Sequence, residues 1–170
     1  MKKLSLIVIA LLITFCASAQ IQRKFMGFTF GLSTKTEVLN YAKQKHKEYR
    51  VMDDDNIYVR DLVFAGDNWH MTAFTFYHNK LYMLYFSNNE DFTLRSTLDL
   101  RWERLKDTLN SKYYRYLKKD DSSDSVLTFD DGRSILVARY EFFEGRKSLT
   151  LMYYDLKTFL LNSQEDDDEL

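Results

Sequence analysis

Leu62–Phe86 reads LVFAGDNWHMTAFTFYHNKLYMLYF, and this stretch decides the fold that the chain is expected to adopt. Alternating runs of aromatic and β-branched residues predict three strands, at Tyr58–Phe64, Met71–Tyr77 and Leu81–Phe86. The last two runs are separated by two turn residues, at positions 78–79, which is typical of a β-hairpin. The stretch therefore predicts an antiparallel meander of three strands.

The same pattern returns at Leu127–Tyr154, which predicts a duplication within the chain. The matched pairs are Leu62 with Leu127, Phe64 with Phe129, Phe74 with Tyr140, Phe76 with Phe142, Leu81 with Leu149, Met83 with Leu151, Tyr85 with Tyr153 and Phe86 with Tyr154. The spacing between partners changes only at predicted loops, and self-similarity at a nearly fixed spacing indicates repeated structural units.

The hairpin registers assign each strand residue to one of two faces, because successive side chains on a strand point to opposite sides. One face is almost wholly apolar and should pack on helices. The other face supplies a candidate binding surface made of Tyr77, Tyr82, Phe86, Arg139, Glu141, Phe143, Met152 and Tyr154. Tyrosine suits such a surface because it combines a large rigid area with a polar tip. Two alternatives stay open: Leu156–Leu161 could fold over this face, or a second chain could bury it, so the oligomeric state is open too.

A helix should precede each set of strands. The first is expected at about Lys35–Glu48, where Thr34 and Glu37 fit a capping box. The second is expected from an N-cap at Asp91 to about Ser111, with its apolar residues on one stripe. That stripe consists of Leu94, Leu98, Trp102, Leu105 and Leu109.

The order of helix, three strands, helix and three strands predicts an α+β two-layer sandwich. Two αβββ repeats, at about 25–88 and 91–156, would form one antiparallel sheet of about six strands with the helices on one face. Residues 20–163 would form this single domain, with a short apolar closing element at 156–161. Residues 164–170 would form a frayed acidic tail.

Residues 1–19 have the pattern of a secretory signal peptide: two lysines, an apolar core too short to span a bilayer, and small residues around a cleavage site after Ala19. The mature chain would begin at Gln20 and be exported to the periplasm or outside the cell. Lipidation at Cys16 is the alternative, and the bulky Phe15 before it disfavours that signal. Because Cys16 is the only cysteine, the mature chain would have no disulfide or thiol chemistry.

Composition and motifs exclude several classes of function. Lysine and arginine number 24 against 25 acidic residues, so no basic excess favours nucleic acid. No later apolar stretch has the length of a membrane span. The sequence also contains no nucleotide-binding loop and no Gly-x-Ser-x-Gly motif, and it indicates no cofactor.

The histidines and acidic clusters are weak candidates for chemistry. His46 fits a solvated helix and His78 fits a turn, whereas Asp67 and His70 could form a base and its orienting partner. The cluster Asp53–Asn56 lacks the regular oxygen-ligand spacing of a calcium loop. Asp120–Asp124 is closer to a cluster for a hard cation but fits a solvated loop, and Asp130–Asp131 also falls in a predicted loop. We therefore assign no catalytic residue and no metal site.

One resemblance rests on Phe25-x-Gly27-x-x-Phe30-Gly31, followed by a capped helix and three antiparallel strands, all duplicated. This arrangement resembles small secreted bacterial proteins of uncharacterised function. It is also similar to the β-lactamase-inhibitor-protein-like fold, which a small lipoprotein of the outer-membrane assembly machinery shares. The resemblance implies a binding scaffold.

Our leading hypothesis is therefore a secreted or periplasmic binding module that engages a protein or a glycan through the sheet face. A carrier of hydrophobic small ligands, with a pocket between the helices and the sheet, is the first alternative. A hydrolase of unrecognised type is the second.

Overall fold

The chain folds into an α+β structure built on one large antiparallel sheet. The computed structural model describes residues 20–91 and 97–168, apart from the side chains of residues 91, 143 and 165–168. Within this described part there are a seven-stranded sheet, a two-stranded sheet and three α-helices. The elements are β1 (Lys24–Phe25), β2 (Phe28–Thr29), α1 (Lys35–Gln44), β3 (Tyr49–Val51), β4 (Asn56–Phe64), β5 (Asp67–Tyr77), β6 (Lys80–Asp91), α2 (Thr97–Tyr113), β7 (Val126–Asp130), β8 (Ser134–Phe143), β9 (Arg146–Asp155) and α3 (Leu156–Asp168).

The large sheet has the strand order β3-β4-β5-β6-β9-β8-β7, with every neighbouring pair antiparallel. Two meanders, β4-β5-β6 and β7-β8-β9, are thus joined by the pairing of β6 with β9. The sequence predicts a sheet of about six strands, and the structure adds a seventh, β3. With only three residues, β3 is too short to be recognised from a pattern of alternating residues. The duplication itself stays a prediction.

The helix boundaries differ from the predicted ones at the C-terminal ends of α1 and α2. The capping box of Thr34 and Glu37 is confirmed, but α1 ends at Gln44 rather than near Glu48. Asp91, the predicted N-cap of α2, is the last residue of β6. Residues 92–96, which follow it, lie outside the described part of the chain. Helix α2 ends at Tyr113, about half a turn later than predicted.

The core lies between the sheet and a layer made of α1, α2 and the β1–β2 hairpin. Buried residues of that layer are Val38, Ala42, Leu98, Trp102, Leu105, Leu109 and Tyr113 from the helices and Phe25, Phe28 and Phe30 from the N-terminal segment. The Phe25 ring lies 4.7 Å from the Tyr153 ring and the Phe28 ring 5.5 Å from the Phe74 ring, measured between centroids. The lead-in segment is therefore a structural part of the core.

A β-bulge in β6 changes which of its residues reach this core. Phe76 pairs with Leu81, whereas Thr75 pairs with Met83, so Tyr82 is an extra residue on its strand. The pairing beyond it shifts by one position, and a one-residue shift sends every later side chain to the other face. Leu84 and Phe86 consequently lie in the core, whereas Met83 is half-buried on the opposite face.

A second irregularity affects β4 and β5 together. Trp69 and Thr72 are three positions apart on β5, so strict alternation would place their side chains on opposite faces of the sheet, yet both are fully buried. The facing strand β4 is also irregular here, since Asp61 has a positive φ of 53°. The buried side chain of Asn88 on β6 bonds to β5 at this point. The His70 N–H donates to Asn88 Oδ1 over 2.8 Å, and Asn88 Nδ2 donates to the carbonyl of Asn68 over 3.1 Å.

The closing segment is helix α3, which extends to Asp168 where the sequence predicts a frayed tail from residue 164. It contacts β6 and β9, and the Phe159 ring lies 4.8 Å from the Tyr154 ring. Tyr154 points away from the core, so the helices do not all lie on one face of the sheet. None of the described helices is both long and apolar enough to cross a membrane.

Candidate functional site

The face of the large sheet opposite α1 and α2, here called the open face, is the first candidate site. Cross-strand pairing places two rows of side chains across it: Tyr58, Ala73, Tyr85, Met152, Val137 and Thr128, and beside them Arg60, Met71, Ser87, Thr150, Arg139 and Val126. Among the smaller residues, those of the central strands are buried between larger neighbours, namely Ala73, Ser87, Val137 and Thr150. Tyr58, Met71, Tyr85 and Met152 are half-buried. Aromatic, methionine and arginine side chains thus share one surface.

Most of the predicted binding residues do lie on this face. Tyr77, Met152 and Tyr154 are half-buried, whereas Arg139 and Glu141 are exposed. The Arg139 guanidinium lies 3.8 Å from the Glu141 carboxylate, close enough for an ion pair. The side chain of Phe143 lies outside the described part of the chain.

Two predicted binding residues are not available to a partner. Phe86 is 0% exposed and packs in the core, so its predicted place on the open face is wrong. The cause is the bulge at Tyr82, which the uniformly apolar run Leu81–Phe86 gave no sign of. Tyr82 is 6% exposed, with its ring 6.5 Å from that of Tyr77.

The predicted binding surface omitted several residues of the open face, either because of the bulge or for lack of a pattern. Met83 and Tyr85 take the outward positions that the bulge vacates, and Tyr58 lies in the same row as Tyr85. Burial raises the pKa of the Tyr85 hydroxyl, and the nearby Glu141 carboxylate raises it further. Tyr85 therefore stays a neutral hydrogen-bonding group at neutral pH.

Helix α3 occupies the end of the open face near Tyr154, and the opposite end carries a cleft. This cleft, here called the β3–β6 cleft, has a volume of about 560 Å³, which is within the range of small-molecule and peptide side-chain pockets. It is lined by Glu48, Tyr49, Arg50, Met52, Tyr58, Arg60, His70, Met71, Ser87 and Asn89. The Arg60 guanidinium lies 3.4 Å from the Glu48 carboxylate, and both are exposed.

The second candidate site is on the helix side of the sheet. A cleft of about 470 Å³, here called the α2 cleft, lies between α2, the β4–β5 turn and β9. Its lining residues are Gln22, Phe64, Ala65, Asp67, Arg104, Leu105, Thr108, Leu109, Lys112, Tyr113, Leu151 and Tyr153. Burial raises the pKa of Tyr153 well above its ordinary value, and the adjacent Tyr113 adds to the effect.

The pairing of Asp67 with His70 considered from the sequence does not form. Asp67 lines the α2 cleft, where it accepts from Arg104 over 2.5 Å and lies 3.3 Å from Arg101, whereas His70 lines the β3–β6 cleft on the other face. Across residues 20–91 and 97–168, no three acidic, histidine or cysteine side chains gather as metal ligands would.

The acidic loop at Asp53 is explained by turn chemistry. Asp53 accepts from the side-chain amide of Asn56 over 2.9 Å and from the backbone N–H of Asp55 over 2.8 Å. These hydrogen bonds, that of Asn56 first, hold the pKa of Asp53 below its ordinary value. The carboxylate is thus used to close a turn.

Comparison of the chain with protein families, with curated proteins and with solved structures finds no match.

Proposed function

We propose that this protein is an exported, non-enzymatic binding module that engages a protein partner through the open face of its sheet. The observation that carries the proposal is the combination of half-exposed Tyr58, Met71 and Tyr85 with exposed Arg60 and Arg139 on one continuous face. Protein interfaces are enriched in aromatic residues, methionine and arginine.

A protein partner is favoured over a glycan because of the side chains around the tyrosines. Glycan recognition would rest on the aromatic rings and on polar groups, whereas Met52 and Met71 add flexible apolar area that suits a protein side chain. The ion pair of Arg139 with Glu141 can reorient toward partner charges, because both groups are about half exposed.

We further propose that the chain consists of two αβββ units related by duplication, and that its fold belongs with the β-lactamase-inhibitor-protein-like scaffolds. The two meanders and the helix preceding each support this reading. The seventh strand β3 and the bulge in β6 would then be differences acquired by the first unit.

Site-specific photo-crosslinking tests the binding face. A benzoylphenylalanine residue placed at position 139 should give a discrete, protease-sensitive adduct when the exported protein is irradiated in the cells that make it. The matched control position is Leu100, which is 77% exposed on α2 and should give none. Met71→Glu, which places a charge in the same surface row, should reduce the adduct at least about fivefold, as expected for a charge buried against an apolar partner.

Two outcomes would contradict the proposal: equal adducts from positions 139 and 100, or none from position 139. An adduct whose added mass is removed by glycosidase would instead identify a glycan as the partner.

A further inference from the structure

The α2 cleft contains a polar group that the described residues do not satisfy. Tyr113 is 1% exposed, and its hydroxyl has no hydrogen-bond partner among residues 20–91 and 97–168. Buried hydroxyls are almost always hydrogen-bonded, so an unpaired one indicates a missing partner. Because Tyr113 lines the cleft, that partner can be a molecule that enters it.

The Tyr113 hydroxyl is the group in the α2 cleft that lacks a hydrogen-bond partner among the described residues. A neutral tyrosine hydroxyl both donates and accepts hydrogen bonds, so a bound molecule with an acceptor oxygen would satisfy the Tyr113 donor. The surrounding floor is apolar, since Phe64, Leu109 and Leu151 line it. The cleft therefore suits an apolar body that carries an acceptor group.

The mouth of the cleft adds a cation beside the same tyrosine. The Lys112 ammonium lies 5.0 Å from the centroid of the Tyr113 ring, and no carboxylate pairs with it in the described part of the chain. Arg104, on the same side of α2, is already paired with Asp67 over 2.5 Å. Lys112 is thus the cation that remains for a bound anion.

We propose that the α2 cleft binds a small carboxylic acid with an aliphatic or aromatic body. Its carboxylate would lie between the Lys112 ammonium and the Tyr113 hydroxyl, and its body would lie against Phe64 and Leu109, above the buried Leu151. A carboxylate meets both demands at once because it is an anion whose oxygens only accept hydrogen bonds. The site is independent of the proposed open-face function, because the two lie on opposite sides of the sheet.

Titration with decanoate, followed by methyl NMR shifts, tests the site in the chain that begins at Gln20. Shifts should concentrate on Leu109 and Leu151. Lys112→Gln and Tyr113→Phe should each weaken binding about tenfold, as expected for the loss of one charge-assisted contact. Tyr113→Phe removes only the hydroxyl, so the variant should stay folded.

Lys106→Gln is the matched control, because the Lys106 ammonium also lies over an aromatic ring of α2, 6.0 Å from the centroid of Trp102. It should bind decanoate as the wild type does, and decanol should bind the wild type more weakly than decanoate. The proposal is overturned if millimolar decanoate leaves the Leu109 and Leu151 methyls unshifted, or if Lys106→Gln weakens binding as much as Lys112→Gln. Shifts confined to Met71 and Met152 would place the binding on the open face and would also overturn it.

Discussion

Asp155 is the residue at which the N-terminal segment, the sheet and α3 are tied together. It is buried at the end of β9, where its carboxylate accepts from the Thr158 N–H over 2.9 Å and from the Thr158 hydroxyl over 2.7 Å. Arg23 also donates to it and to the Ser134 hydroxyl. Burial raises the pKa of Asp155, but the bonds from Thr158 and Arg23 outweigh burial and hold the pKa below its ordinary value.

Two substitutions of Asp155 distinguish the contribution of its charge from its contribution as the cap of α3. Asp155→Asn keeps an acceptor for Thr158 but leaves Arg23 without its carboxylate, and should lower the free energy of unfolding by about 2 kcal/mol at pH 7. Asp155→Ala also removes the cap and should cost about 1 kcal/mol more. Urea unfolding measures both values, and Asp107→Asn, on the exposed side of α2, should change stability by less than about 0.5 kcal/mol.

The same pair of proteins gives a pH test. Because the folded pKa of Asp155 is lower than the unfolded value of about 3.9, the carboxylate stabilises the fold fully above that value and loses its effect as the pH falls through the folded pKa. The difference between wild type and Asp155→Asn should therefore be smaller at pH 3 than at pH 7. An unchanged difference would mean that the pKa of Asp155 is the same in the folded and the unfolded protein.

At the residue scale, interactions between residues close in sequence could be predicted, whereas interactions between residues distant in sequence could not. Thr34 and Glu37 lie three positions apart, so the capping box could be predicted without knowledge of the fold. The unpaired hydroxyl of Tyr113 could not, because its surroundings come from β9, the β4–β5 turn and the N-terminal segment, and no local pattern indicates which of these would offer an acceptor.

At the scale of elements, the face of each strand could be predicted only where polarity alternates. The β8–β9 hairpin has Arg139 and Glu141 on one side, where both are exposed, and Leu149, Leu151 and Tyr153 on the other side, where they are buried. Phe142 departs from this pattern, since it lies on the predicted core side and is 62% exposed. Residues 81–86 of β6 are all apolar, so a one-residue shift leaves no polar group on the wrong face and the bulge has no sequence signal. That single shift explains the error at Phe86.

Asn88 provides a test of how the irregular part of β4 and β5 is held. Asn88→Ala would leave the His70 N–H and the Asn68 carbonyl without their side-chain partner, and should lower the free energy of unfolding by about 2–4 kcal/mol. Native-state hydrogen exchange should show the largest acceleration at the His70 amide. The neighbouring exposed residue supplies the control, since Asn89→Ala should cost less than about 0.5 kcal/mol. Equal losses from the two changes would show that the buried amide does not support β5.

At the scale of the whole molecule, the two candidate sites are separated by the sheet. The β3–β6 cleft and the predicted surface around Arg139 face one side, and the α2 cleft faces the other. A partner on the open face would therefore leave the mouth of the α2 cleft accessible. The α+β class and the antiparallel sheet followed from periodicity, whereas both clefts depend on how distant segments pack.

From the central pairing of β6 with β9 we also expect a particular order of folding. This pairing joins Met83 to Tyr154 and Asp91 to Arg146, whereas the hairpins on either side close over short turns. Closing the long segment between β6 and β9 costs more chain entropy, so this contact should form last. Pulsed hydrogen exchange during refolding should protect β5 amides bonded to β6 before β9 amides bonded to β6. Because the chain contains no proline, refolding should lack the phase of tens of seconds that proline isomerisation causes, and simultaneous protection of both pairings would contradict this order.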